Sequence, residues 1–229
     1  MSRFSVVCLD MAGTTVRDDN TVIEAFATAI ASRNLPVAEF HDAMKYARET
    51  MGQSKIEVFR HILGSESAAR AANAAFEKHY AGAVADGAVA PMPGAEQLFA
   101  DCRAAGIKVC LSTGFAPVTR DAIVAALGWG PLVDLFLSPA DAGRGRPWPD
   151  MPLTALLRLS GGSVHELAVA GDTPSDVESG LRAGAGLVAG VLSGDSGRAD
   201  LEAVPVATGL PGTPLILDSV ADLAPHLGL

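Results

Sequence analysis

Four short segments of this 229-residue chain carry residue types that do chemistry: Asp10-Met11-Ala12-Gly13-Thr14-Thr15, Ser112-Thr113-Gly114, Gly145-Arg146-Pro147 and Gly171-Asp172-Thr173-Pro174-Ser175-Asp176. Two or three carboxylates with a backbone carbonyl suit Mg²⁺, a hard cation that keeps some of its waters. Arg146, Ser112 and loop N–H groups suit the oxygens of a tetrahedral anion. Asp10 can then attack phosphorus as a carboxylate nucleophile and form an aspartyl-phosphate. The metal reconciles a negative nucleophile with a negative phosphorus group. Each segment alone says little, because an Asp after a strand is commonly a turn or helix-cap residue. Their order along the chain carries the argument, since each follows an apolar run.

Those runs are Phe4–Leu9, Ile107–Leu111, Val133–Leu137, Leu167–Ala170, Leu187–Leu192 and Leu215–Leu217. They are near-continuous rather than alternating, as buried parallel strands are. Helices with clear punctuation lie between them. The spacing predicts Ala95–Ala105 between Pro93-Gly94 and Gly106, Pro117–Leu127 before Gly128, and Pro174–Ala183 before Gly184. Strand–helix alternation of this kind predicts a doubly wound α/β domain, in which ligands bind outside the carboxyl ends of the strands. The four segments would therefore converge at one sheet edge. Residues 18–90 differ, with no convincing strand and four predicted helices: Thr21–Arg33, Val37–Thr50, Lys55–Leu63 and Glu66–Ala85. Asn20, Gly64 and Gly87 serve as stops or caps, and Pro91-Met92-Pro93-Gly94 as the hinge back to the core. The division expected is 1–17 with 91–229 as core, and 18–90 as a helical insertion.

In this order, and with a helical insertion after the first, the four segments resemble the motifs of the haloacid dehalogenase superfamily. The usual first motif has a second Asp two positions after the nucleophile, where this chain has Ala12. The usual third-motif Lys is Arg146 here. Both departures resemble the phosphonoacetaldehyde hydrolase (phosphonatase) family and its phosphonatase-like relatives. Met51-Gly52-Gln53-Ser54-Lys55-Ile56 is similar to that family's Met-Gly-x-x-Lys-Ile segment. The resemblance implies an α/β fold with a Rossmann-like parallel-sheet core and an inserted helical cap domain. It implies Mg²⁺ held by Asp10, the Ala12 carbonyl, Asp172 and Asp176. It also implies Ser112, Thr113, Gly114, Arg146 and Met51 around the substrate, and a Schiff base on Lys55. Met51 has packing between cap and core as its other reading. The family's cap-mediated dimers imply a homodimer.

The chemistry links these changes. An ester hydrolase protonates a leaving alkoxide, the task of the Asp that Ala12 replaces. C–P cleavage expels a carbanion, whose electrons an iminium on a lysine can accept. The reaction implied is phosphonoacetaldehyde, or a close 2-oxoethylphosphonate, to aldehyde and phosphate. The alternative is an ordinary phosphatase or phosphomutase acting on a small phosphate ester. On a wheel of about 100° per residue with Ile56 at the origin, Phe59, Ile62 and Leu63 fall at about 300°, 240° and 340°. Lys55 falls at about 260°, inside that stripe, where either a stem lying on the core or a desolvated nucleophilic amine accounts for it.

Against the family pattern, Val58 stands three residues after the lysine where a His is usual. Asn20 replaces a Cys, and Phe115 stands where several members have Tyr. Cys8 and Cys110 read as small core hydrophobes. His61 falls away from the lysine's face. Trp148 and Pro149 either wall the site or stiff a loop, and Arg144 reads as a solvated loop charge.

Composition narrows the partners. With 17 basic and 26 acidic residues the formal charge is −9, which argues against a nucleic-acid backbone or an anionic membrane. No apolar run approaches the ~18 residues of a membrane span. The first nine residues lack signal-peptide features. Three cysteines without CxxC spacing argue against a disulfide framework or zinc site. The expectation is a cytoplasmic enzyme for a small phosphonate.

Overall fold

The near-continuous apolar runs become one parallel sheet in the computed structural model, which describes residues 2–17, 20–33 and 35–229. In chain order β1 (Val6–Asp10) and β2 (Val16–Arg17) lead into α1 (Thr21–Ala31), α2 (Val37–Glu49), α3 (Lys55–Leu63) and α4 (Glu66–Ala85), and β3 (Ala90–Pro91) follows. Then come α5 (Ala95–Ala104), β4 (Lys108–Ser112), α6 (Pro117–Leu127), β5 (Leu135–Leu137), α7 (Pro139–Ala142) and α8 (Asp150–Arg158). The chain continues with β6 (Leu167–Gly171), α9 (Pro174–Arg182), β7 (Leu187–Val191), α10 (Arg198–Thr208), β8 (Leu215–Leu217) and α11 (Ala224–Leu227). Asp18 and Asp19, where the expected helical insertion begins, lie outside the described residues.

The main sheet runs β5-β4-β1-β6-β7-β8, with every pairing parallel. All five residues of β1 are buried, because helices cover both faces of a parallel sheet. Register fixes the site edge: Asp10 pairs with Ser112 across β1 and β4, and Gly171 ends β6 on the other side of β1.

Expected and observed elements differ mainly at ends. The run from Val133 becomes a strand only at Leu135, because Asp134 turns its carboxylate onto the Val109 N–H at 2.9 Å. The helical stretch ends in a strand after all. Ala90–Pro91 pairs antiparallel with Val16–Arg17, so both ends of the helical segment are tied together where a hinge was expected. Helices α7, α8, α10 and α11 have no counterpart among the helices expected from the sequence. α10 even carries Pro205 inside it.

One apolar cluster runs from the sheet into the four-helix segment. There Phe26 meets Phe59 and Phe76 at 5.0 and 4.9 Å, and Phe115 meets Tyr80 at 4.7 Å. Cys8 and Cys110 lie in a second cluster on the other face. No helix among the described residues is long and apolar enough to cross a membrane.

Candidate active site

Arg146 organises the floor of the site. The residue is 5% exposed, and its guanidinium uses its whole fork. Nη1 pairs with Asp10 Oδ1 at 2.6 Å, and Nε with Asp176 Oδ1 at 2.7 Å. Nη2 donates to Ser112 Oγ at 2.7 Å and to the Ser112 carbonyl at 3.0 Å. Asp176 is held independently at the start of α9, where its Oδ2 accepts the Thr173 N–H at 3.1 Å in a capping box. Asp172 accepts the Thr14 hydroxyl at 3.0 Å. Asp10, Asp172 and Asp176 each offer an oxygen, and these lie within 4.8 Å of one another.

Three buried carboxylates then cluster beside one guanidinium, which pairs with two of them, Asp10 and Asp176. Burial pushes the Asp10 carboxyl up to about 7, with Asp176 adding repulsion and Arg146 opposing. Burial, then repulsion from Asp10 and Asp176, holds Asp172 well above the ordinary range. Three carboxylates against one guanidinium leave a deficit of positive charge, and hard oxygen donors in that state fit a divalent cation.

The wall comes from the helical segment. The turn before α3 seats on the core so closely that a Cβ on Gly114 would stand 2.3 Å from the Gln53 carbonyl oxygen. The Lys55 N–H donates to the Gly114 carbonyl at 3.2 Å, and Arg146 Nη1 donates to the Gly52 carbonyl at 3.3 Å. Lys55 is 5% exposed. Its Nζ lies 5.5 Å from the Phe26 ring centre and 5.4 Å from that of Phe115, within cation–π range. A cavity of about 850 Å³ is bordered by Asp10, Asp172, Met51, Lys55, Thr113 and Phe115 together. Ala12 and Gly114 also border it. Ser112, Arg146 and Asp176 form a buried layer beneath this cavity and reach it through Asp10.

Other residues find structural partners. Arg144 pairs with Asp150 at 2.9 Å. Trp148, 42% exposed, lies against the guanidinium groups of Arg144 and Arg182 rather than on the cavity. His61 stacks on Tyr46 at 4.0 Å, Val58 is buried in the core, and Asn20 borders the cavity.

Sequence reasoning missed three groups. Thr14 sits inside the first segment, but its bond to Asp172 depends on β1–β6 pairing. The loop after β7 also reaches the cavity, with Ser193 Oγ donating to the Gly13 carbonyl at 2.7 Å. Extending the strand-end argument to Leu187–Leu192 finds it. Glu77 is a buried carboxylate on α4. It stands in a helical stripe with Ala69, Ala72, Phe76, Tyr80 and Val84, the same kind of anomaly that singled out Lys55.

Residues 4–184 match the family model described as haloacid dehalogenase-like hydrolase. Phosphonoacetaldehyde hydrolase of Hahella chejuensis is 30% identical over 208 residues, spanning 82% of this chain and 68% of that protein. The enzyme of the same name from Parabacteroides distasonis is 26% identical over 205 residues, 80% and 74% of the two chains. Among solved structures, a hydrolase from Pseudomonas syringae superposes with a TM-score of 0.82 at 21% identity, over 98% of both chains. A phosphonoacetaldehyde hydrolase-like protein from Oleispira antarctica gives 0.80 at 26% identity, over 99% of this chain and 92% of that one.

Proposed function

The chain belongs to the haloacid dehalogenase superfamily and, within it, to the phosphonatase-like hydrolases, and from this we propose that it cleaves the C–P bond of phosphonoacetaldehyde or a close 2-oxoethylphosphonate. The observation that carries this reading is the opening of buried Lys55 onto the same cavity as Asp10 and Asp172. A lysine so placed meets the aldehyde end of a substrate whose phosphorus end meets Asp10. Residues 18–90 act as a cap on a core of 1–17 and 91–229, and water is excluded when the two close on the substrate.

The Lys55 amine adds to the aldehyde carbon, and loss of one water gives an iminium. Asp10 attacks phosphorus, the C–P electron pair moves into the iminium, and an enamine and an aspartyl-phosphate result. The enamine takes up a proton, and one water releases the aldehyde from Lys55. A second water hydrolyses the aspartyl-phosphate to phosphate. The net reaction consumes one water. Ala12 offers no proton to a leaving alkoxide, and this route needs none. Arg146 fixes Asp10 for in-line attack through its bonds to Asp176 and Ser112. Asp10, the Ala12 carbonyl, Asp172 and Asp176 would hold Mg²⁺, which when bound offsets the charge between carboxylate and phosphonate.

Product analysis tests the reading. Phosphonoacetaldehyde should yield acetaldehyde and phosphate in equal amounts, while small phosphate esters should turn over at least about 100-fold less efficiently for want of a general acid. Efficient ester hydrolysis with no C–P cleavage would replace this reading with a phosphatase.

A further inference from the structure

Helix α6 begins without the residues that usually finish a helix start. Its N-cap is Ala116, its first residue is Pro117, and its first turn holds no acid. Alanine brings no side-chain acceptor for the free N–H groups, whereas Ser, Thr, Asp or Asn would. By contrast, α7 and α9 cap themselves, through Ser138 with Asp141 and Thr173 with Asp176. On α6 the acceptor arrives from another helix. Glu77 of α4, 9% exposed, takes the Ala116 N–H on Oε1 at 3.4 Å and the Thr119 hydroxyl on Oε2. The positive end of α6 favours a carboxylate there.

This bond crosses from the helical segment to the sheet, and it lands on a stretch that the segment already grips. Three consecutive residues there each touch the segment by a different group. The Gly114 carbonyl accepts the Lys55 N–H at 3.2 Å. The Phe115 ring lies 6.0 Å from Phe76 and 4.7 Å from Tyr80 on α4, and 5.4 Å from Lys55 Nζ. The Ala116 N–H goes to Glu77. Ring contacts are non-directional and would let α4 settle on α6 in several ways. A carboxylate with two directed donors admits one arrangement. When the seam parts, the carboxylate and the helix end both regain water, so the tie specifies the docked arrangement without locking it.

We propose that Glu77 is a positioning residue, which caps α6 from across the seam and so docks the helical segment where the Phe115 ring lies beside Lys55. This rests on the cap-and-core division proposed above and is independent of the imine chemistry. Its consequence is that closure over the cavity and the start of α6 form together. Loss of the tie at Ala116 is felt at the turn before α3, on the other side of Phe115.

Hydrogen exchange resolved to single amides, on the full chain with Mg²⁺, reads both sides of the seam. The Ala116 N–H reports the bond to Glu77, and the Lys55 N–H reports the bond to Gly114. E77Q keeps the size of the side chain but removes its charge and one acceptor oxygen. Both amides should then exchange about tenfold faster, as loss of a hydrogen bond to a charged group implies. Amides within α1 should keep their wild-type rates. Thr119→Val removes one donor and should raise the same two amides, while Thr119→Ser keeps the hydroxyl and should change neither. A rise at Ala116 alone overturns the proposal and leaves Glu77 as a cap for α6 only. An equal rise through α1 overturns it as a packing defect. Should E77Q not fold, the two Thr119 variants decide by the same outcomes. With phosphonoacetaldehyde, E77Q should raise KM about tenfold at nearly unchanged kcat, because a weaker closure equilibrium lowers apparent affinity first. A wild-type KM in E77Q overturns the positioning role. A wild-type protein that leaves phosphonoacetaldehyde uncleaved removes the substrate reading instead, and the exchange rates still decide the docking.

Discussion

The floor and the wall of the cavity hold their charges by different means. On the floor, Asp10, Asp172, Asp176 and Arg146 come from the ends of two strands and one longer loop, and each has fixed partners. Ladder register sets their spacing, so the charge density is a property of the sheet. On the wall, Lys55 opens α3 and sits against the Phe26 and Phe115 rings. Burial and ring faces, rather than a ladder register, define its surroundings. A dense network suits binding a metal and a phosphorus group. A desolvated pocket walled by aromatic rings suits the nucleophilic lysine proposed above.

Removing a floor charge should break the site most completely. Asp10→Asn should cost about 10⁴-fold in kcat or more, as loss of a nucleophile does. Thermal melting should show no loss, because one buried, mutually repelling carboxylate is gone. Arg146→Lys keeps the charge but loses the fork that joins Asp10, Asp176 and Ser112, and should cost about 10²- to 10³-fold, mainly in kcat. Steady-state kinetics on phosphonoacetaldehyde checks both.

The seam between floor and wall should respond less. Gly114→Ala forces a methyl against the Gln53 carbonyl. Overpacking of this kind costs about 1–3 kcal/mol and should lower both the melting temperature and kcat/KM by displacing Lys55 from Asp10. The smallest effect is on metal-free stability. Asp10 titrates near 3.8 when unfolded and at about 7 when folded. Below about pH 4 both states are protonated. Between about 4 and 7 the unfolded chain ionises first, so this group makes stability fall as pH rises. Mg²⁺ should therefore raise the melting temperature more at about pH 8 than at about pH 5, which calorimetry can compare.

The floor is legible in the chain because its residues follow apolar runs, and a parallel sheet gathers strand ends at one edge. Lys55 is legible as a charge inside an apolar helical stripe. Glu77 offers the same signal, but the alanines around it read as helix propensity, which hides the stripe. The pairing of Val16–Arg17 with Ala90–Pro91 was not legible, because two-residue strands have no periodicity and proline signals a break. Thr14 with Asp172, and Ser193 with Gly13, depend on register between distant segments, and no local pattern encodes that.

The central claim is that floor and wall act on one substrate, with Lys55 bonded to its carbonyl carbon. Borohydride added with phosphonoacetaldehyde tests it most directly. The wild-type enzyme should be irreversibly inactivated, with one reduced adduct on the peptide bearing Lys55. Lys55→Arg should show neither adduct nor C–P cleavage, while keeping the wild-type melting temperature. Full C–P cleavage by Lys55→Arg, or turnover by the wild-type enzyme with no trapped adduct, would contradict the claim.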